Sequence, residues 1–283
     1  MAFNFEDKLF NDEYSPQSTL IVDSLNLAFR WKHQGRSDFR YEFESTVQSL
    51  AKSYGTDRVI ITADWGASSY RKIISGDYKQ NRKEKIAEQT EEERIAFEEF
   101  FEEFEASLEV MKEGGYVVLR YKGVEADDLA GHLVKYKDKY GLGDIWLISS
   151  DRDWDLLVQE GVSRFSYVTR KEVTLENWSS HYDCTPEEYI SVKCLMGDKG
   201  DNVAGFPGIG IKRAVSLVKE YGSAYDIYEA VPIHSKYKFI QGLNENPEQI
   251  LKNYELMDLL TYCDDALGAT NFKDIRGRML DGL

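Results

Sequence analysis

Four histidines, three cysteines and five prolines are all the chain has of those residues in 283 positions. The histidines (His33, His132, His181 and His234) are scattered and fit no nucleophile or metal spacing, which argues against Ser–His or Cys–His catalysis. Cys184, Cys194 and Cys263 are odd in number and form no C-x-x-C pair. They read as reduced thiols, with no disulfide framework and no zinc site. Long apolar runs are absent: VIIT and IWLI are far too short to span a bilayer, so no membrane partner is expected. The N-terminus, MAFNFEDKLFNDEYSPQS, has neither a basic n-region nor an apolar h-region. No secretory signal is expected from it, and the chain reads as cytoplasmic. A basic excess is missing too. Lys and Arg number 35 against 50 Asp and Glu, a net charge of −15. That excludes a general nucleic-acid coat protein, but neither a local basic groove nor carboxylates gathered around metal ions.

What is present has the pattern of a globular α/β protein. Several short apolar runs end in acids: TLIVD at Asp23, VIITAD at Asp64 and IWLISSD at Asp151. With YVVLRY (116–121) and RFSYV (164–168) they give about five candidate strands. The first four alternate little, as strands buried on both faces would. Helical patterns lie between them at 43–55, 91–111 and 126–141, the first and last stopping at glycine. Alternating strand and helix predicts a largely parallel sheet with helices on both faces. From about residue 184 the pattern is helical only. Thr185-Pro186-Glu187-Glu188 predicts a capped helix start, another helix follows Gly210, and a third is expected over 247–262. The expected organisation is a polar extension (1–18), an α/β portion (19–183) and a helical portion (184–283).

In an open parallel sheet, function gathers at the carboxyl ends of the strands. Asp23, Asp64 and Asp151 fall there, with Asp153 two residues further on. Glu125, Asp127 and Asp128 open the helix after the third run in the sequence, 116–121, and Asp198 and Asp201 follow later. Nine carboxylates in one pocket repel one another unless cations neutralise them, and oxygen-only ligands favour Mg²⁺, with Mn²⁺ able to substitute. Helix capping is the plain alternative for any single acid. It is not expected to account for Asp23 and Asp64, whose next helices appear distant in sequence.

The stretch GFPGIGIKRA (205–214) is neither a Walker loop nor a dinucleotide fingerprint. Gly205, Gly208 and Gly210 let backbone approach a phosphate, Lys212 and Arg213 add charge, and 205–219 contains no acid. Segment 70–85, YRKIISGDYKQNRKEK, interleaves Tyr70 and Tyr78 with Arg71, Lys72, Lys79, Arg82, Lys83 and Lys85. Such a pattern suits stacked bases and held phosphates, or a solvated helix entry.

Taken in order, LIVDSLNLAFR, ITAD, DYKQNRKEK, GVEADDLA, SSDRDWD, MGDKGDN and GFPGIGIKRA resemble the 5′-nuclease superfamily of flap endonucleases and 5′→3′ exonucleases, the stand-alone bacteriophage enzymes above all. The resemblance covers about residues 19–265. It implies a PIN-like α/β fold with a mixed, mostly parallel sheet flanked by helices. It adds a helical arch at about 70–111 and a helix-two-turn-helix clamp, helix-hairpin-helix-like, at about 185–222. It implies two divalent ions, the first on Asp23, Asp64, Glu125 and Asp127. The second falls on Asp128, Asp151, Asp153 and Asp201, with Asp198 in the outer shell. Lys79 matches the arch lysine that assists the reaction, Tyr78 the stacking aromatic and Arg82 the arch arginine. Lys83 joins the arch's DNA-binding bases. Lys212 and Arg213 match the duplex-binding pair, beside a glycine turn that often holds K⁺. Arg152 departs from the pattern, since relatives carry a small residue between the two aspartates.

The implied activity is divalent-metal-dependent hydrolysis of DNA at 5′ flaps and 5′ ends, by a monomer working in replication or DNA degradation. RNA primers are a further target, and the compartment is the host cytoplasm if the source is a phage. A PIN-type ribonuclease and a non-catalytic DNA-junction binder are the rival readings.

Overall fold

The computed structural model describes residues 18–56 and 58–281, so the expected extension over 1–18 lies outside it except for Ser18. Six strands form one sheet: β1 (Thr19–Asp23), β2 (Arg58–Thr62), β3 (Val117–Leu119), β4 (Ile145–Ile148), β5 (Val162–Ser166) and β6 (Lys171–Val173). Their order is β3-β2-β1-β4-β5-β6. The first five are parallel, while β6 pairs antiparallel to β5, with Phe165 opposite Glu172. The order reverses at β1, whose two neighbours leave in opposite directions. This is the point at which an α/β sheet opens a crevice.

Every residue of β1 is buried because both faces are covered. Leu20 and Val22 point to one side, against α1 (Ser24–Lys32), α2 (Arg40–Ser53) and α5 (Glu91–Glu113). Ile21 points to the other, against α6 (Ala126–Lys135) and the C-terminal α12 (Cys263–Asp281). Between β2 and α5 run two short helices, α3 (Ser69–Ile74) and α4 (Gln80–Ala87). No residue of α4 is buried, and α5 starts afresh at a complete capping box, Thr90 with Glu93.

The helical portion has its own core, built by α7 (Pro186–Met196), α8 (Ile211–Tyr221), α9 (Ala224–Glu229), α10 (Lys238–Glu245) and α11 (Glu248–Met257). Thr185 and Glu188 form the expected capping box. Between α7 and α8 the backbone packs on itself. A Cβ on Gly205 would lie 1.8 Å from the Met196 carbonyl oxygen, so only glycine fits.

Three expectations change. Asp23 is followed at once by α1, a helix absent from the sequence reading. The helix expected over 126–141 ends at Lys135, because the chain turns to bury Tyr140 and Leu142. The segment 247–262 is helical only over Glu248–Met257, and α12 follows it, with a break at Gly268 (φ +71°).

Candidate metal and nucleic-acid site

The carboxyl ends of β1, β2 and β4, with the N-terminus of α6, gather the acids. Asp23 accepts from the Asn26 amide (3.2 Å) and from the Ser149 hydroxyl (2.8 Å). Asp64 accepts from the Ala126 amide at 2.6 Å, so an acid from β2 caps α6 from outside the helix. Asp127 accepts from the Trp154 indole N–H at 2.6 Å. Asp151 caps the turn of 3₁₀-helix over Arg152–Leu157 by accepting from the Asp153 amide. None of these four is in an ion pair among the described residues. Burial, reinforced by the charge of Asp64, pushes the Asp23 carboxyl up to about 8. Burial and then Glu125 push Asp64 up to about 6, and burial raises Asp127 strongly.

The remaining acids already hold cations. Lys79 donates to Glu125 at 2.7 Å and lies 3.4 Å from Asp201. Arg82 donates to Asp201 at 2.6 Å. Lys193 donates to Asp153 and lies 3.5 Å from Asp198. Burial opposes ionisation of Glu125 and Asp201, yet these cations hold both below the usual carboxylate range. Asp153 stays high, at about 6, because burial outweighs Lys193. No three carboxylates of the described residues bring oxygens within 4.8 Å of one another. The unpaired acids stand apart and the paired ones are spaced by lysines.

The backbone that carries Lys79 is strained. Its φ is +56°, and Asn202 facing it has φ +58°. The two turns lock together: the Lys79 amide donates to the Asp201 carbonyl (2.9 Å) and the Asn202 side-chain amide to the Asp77 carbonyl (2.9 Å). Tyr78 stands between them, its phenol 3.0 Å from Glu125 and 2.9 Å from Asp201. Asp127, Asp153, Asp198, Asp201 and Tyr78 line one cavity of about 10 Å³. That is space for about one water-sized occupant, the scale of a bare or partly hydrated ion.

Several sequence expectations are revised here. Asp23 is the N-cap of α1, so capping does describe it. Asp128 is fully buried. Its Oδ2 accepts from Arg71 at 3.0 Å, its Oδ1 lies 2.8 Å from the same guanidinium with ion-pair geometry only, and it completes the α6 capping box with Glu125. That pairing closes it to a metal in this arrangement. Arg71, expected to hold phosphate, is buried against Asp128, Glu125 and the Leu256 carbonyl. Tyr70 donates to Glu255. Tyr78 is 4% exposed, so its ring is not offered for stacking: Glu125 and Asp201 draw its hydroxyl inward. Lys193 was missed. It lies in the last turn of α7, and its only signal was a cation on the face that packs toward the acids.

The basic residues divide in the same way. Lys83 is exposed on α4. Lys212 and Arg213 are exposed on the first turn of α8, behind Gly208 (φ +81°) and Gly210. Arg213 donates to the Gly208 carbonyl, and its guanidinium lies 4.5 Å from the Phe239 ring centre. The glycine turn lines a groove of about 680 Å³.

A second cluster lies elsewhere, between α6 and α12: His132, Cys263 and Asp264. Both His132 nitrogens are already bonded, to Asp264 (2.8 Å) and to the Tyr140 hydroxyl (2.9 Å), and Lys135 donates to Asp264. It is a hydrogen-bonded knot that fastens the two helices.

A sheet opening onto clustered acids, with an arch and a glycine clamp beside it, defines a nuclease of the 5′-end type. The chain belongs to the 5′–3′ exonuclease family: residues 18–183 match its N-terminal resolvase-like domain and residues 184–276 its C-terminal SAM fold. It is similar to the flap endonuclease of Escherichia phage T5, 42% identical over 257 residues, which are 90% of this chain and 88% of that one. A crystal structure of the T5 D15 flap endonuclease, a pseudo-enzyme-product complex with DNA and metal ions, superposes with a TM-score of 0.89. It is 40% identical over 94% of this chain and 98% of that chain. A T5 5′-exonuclease with bound zinc superposes equally well, at 40% identity over 94% and 99%.

Proposed function

We propose that the chain cuts DNA at 5′ flaps and 5′ ends, holding two Mg²⁺ ions on the carboxylate cluster and duplex on the glycine turn of 205–213. The observation that carries this is a set of acids that make no ion pair among the described residues: Asp23, buried, and Asp64 and Asp127, partly buried, all with raised pKa values. Such a donor set fits hard divalent ions, because bound cations would offset the cost of burying these charges, the main cause of the raised values, together with their mutual repulsion. Asp23, Asp64, Asp127 and Asp151 would hold them, with Glu125, Asp153 and Asp201 joining as their lysines turn to substrate. Asp198 would orient from behind, and Asp128 would act through Arg71. Bound divalent ions supply Lewis acidity and lower the pKa of water.

The chain's own groups do the rest. Lys79, pinned at a strained turn, would exchange Glu125 and Asp201 for oxygens of the scissile phosphodiester. Arg82, half exposed, would follow it, and Lys83 would hold a phosphate of the flap. Release of Tyr78 from the same two acids would free its ring to stack on a base. Water adds its oxygen to phosphorus as the P–O3′ bond breaks, so one product ends in a 3′ hydroxyl and the other carries a 5′-phosphate. Lys212, Arg213 and the amides near Gly208 and Gly210 would grip duplex phosphates, with K⁺ in the groove beside them. This grip does not depend on the sugar, so primer RNA paired to DNA is proposed as a second substrate. A monomer holding both parts, 18–183 and 184–281, suffices.

The test is a 5′-flap duplex labelled at either end, with Mg²⁺ and then with EDTA. Mg²⁺-dependent cutting at the junction is expected. Tight, salt-sensitive binding with no cutting under any divalent ion would favour a junction-binding protein instead.

A further inference from the structure

One cavity outside the site collects cations that the proposed reaction leaves unused. It holds about 170 Å³ between the 3₁₀ turn after Asp151, the β5–β6 hairpin and the segment before α7. Arg152, Lys171, His181 and the buried Arg164 line it, and no acid does. In a chain of net charge −15 that is a marked local reversal. The floor is fixed: Arg164 is held by Asp155 through two nitrogens and donates to the Ser149 carbonyl at 2.9 Å, so its charge is spent. Arg152 and Lys171 are exposed and in no ion pair among the described residues. Ser150 Oγ accepts from Ser166 (3.2 Å) and from the Val168 amide (3.2 Å), which leaves its own hydroxyl hydrogen to donate into the cavity.

Position adds meaning to charge. Ser149 holds Asp23, Ser150 faces this cavity, and Asp151 faces the acids, all on consecutive residues at the end of β4. Arg152 then lies between two carboxylates of the candidate metal site in sequence. A bound anion here would be contacted by the residue that lies between Asp151 and Asp153 in the chain. Size narrows its identity. The volume lies below the roughly 300 Å³ from which pockets for whole small molecules run. A phosphate group fits and a nucleoside does not.

We propose that this cavity binds a single backbone phosphate of the substrate's duplex next to the cut, with Arg152 and Lys171 as its charged partners and Ser150 as a hydroxyl donor. It rests on the reading that the substrate is a flap-bearing duplex, and it adds a grip independent of the glycine turn. Arg152 is then a specificity element of this chain, fixing how far the duplex advances along the site.

The test pairs protein variants with substrates in which one phosphate at a time is a neutral methylphosphonate. Binding is measured in Ca²⁺ across a salt series. For the wild type, neutralising one particular phosphate near the junction should weaken binding about tenfold. The same substitution should cost Arg152→Ala or Lys171→Ala almost nothing, and Arg152→Lys should recover part of the loss. The dependence of log affinity on log salt should flatten by about one per removed contact. Both side chains are exposed, so the variants should keep the wild-type circular dichroism. Equal losses in wild type and variants at every phosphate, or unchanged affinity and salt slope in the variants, would overturn the proposal. Cleavage of the flap by the wild type reports on the underlying reading separately. If the wild type cuts and no phosphate couples to Arg152, only this inference fails.

Discussion

The acids at the head of the sheet form two regions with opposite electrostatic states. Around Glu125, Asp153, Asp198 and Asp201, lysine and arginine already supply the positive charge. Around Asp23, Asp64 and Asp127, the described residues supply hydrogen bonds from Ser149, the Asn26 and Ala126 amides and Trp154 but no ion pair, and the pKa values rise. One region is a pre-formed set of ion pairs that substrate can unmake. The other carries unrelieved repulsion that costs folding stability and favours divalent ions. The difference shows that a cluster of acids cannot be understood from its count. The cations already among them decide which acids are available.

The largest effects separate the two regions directly. Asp64→Asn should lower cleavage about a thousandfold. Without metal it should also stabilise the fold by up to about 3 kcal/mol, because it removes a charge held above its unfolded pKa. Glu125→Gln should lower cleavage by a similar factor but destabilise the protein by about 3 kcal/mol, leaving Arg71 and Lys79 under-compensated in a buried setting. Chelator-treated thermal melts alongside flap cleavage check both, and stability shifts of the same sign would break the division.

Lys79→Ala should cut about a hundredfold more slowly while still binding flap DNA, read by single-turnover cleavage and by a gel-shift titration. Full activity would remove Lys79 from its proposed role. A pH series sharpens the other region. Asp23 and Asp64, and Asp153 of the ion-paired region, where burial outweighs Lys193, keep protons in the folded state that the unfolded chain releases from about pH 4 upward. Their effect is therefore a loss of stability as pH rises toward about 8. Glu125 and Asp201, whose values are lowered, act in the opposite sense and only in acid. In EDTA the melting temperature should fall between pH 5 and 9, and Mg²⁺ should remove most of that fall. The smallest effect belongs to the clamp. Lys212→Ala and Arg213→Ala should each weaken duplex binding a few-fold and flatten the salt dependence by about one.

Much of the fold was legible because buried parallel strands leave apolar runs with acids at their ends, and because Thr185 and Glu188 spell a capping box. The family motifs also pointed to the glycine turn that lies between α7 and α8. α1 was not, since the residue that starts it, Asp23, also ends β1 and was given a single role. β6 was missed because KEV is a three-residue edge strand with one buried side chain. Within the candidate site, the acids at or just past the strand ends and at the start of α6 could be located from the sequence. Their partners could not, because Arg71 and Tyr78 lie in a segment whose composition looks solvent-facing. Contacts with Glu125, joined by Asp128 for Arg71 and by Asp201 for Tyr78, turn both inward. Lys193 shows the same limit from the other side, since nothing local marks a helix lysine as the counter-charge of an aspartate 40 residues earlier.

Trp154 is fully buried, and its indole N–H points at Asp127. The emission energy of an indole depends on that hydrogen bond and on the electric field along the ring. The molecule therefore contains its own optical reporter, fixed one bond away from an acid of the candidate centre. Substituting Trp31, Trp65, Trp146 and Trp178 by phenylalanine would leave a single lamp, whose colour reports the charge state of Asp127 without any added dye.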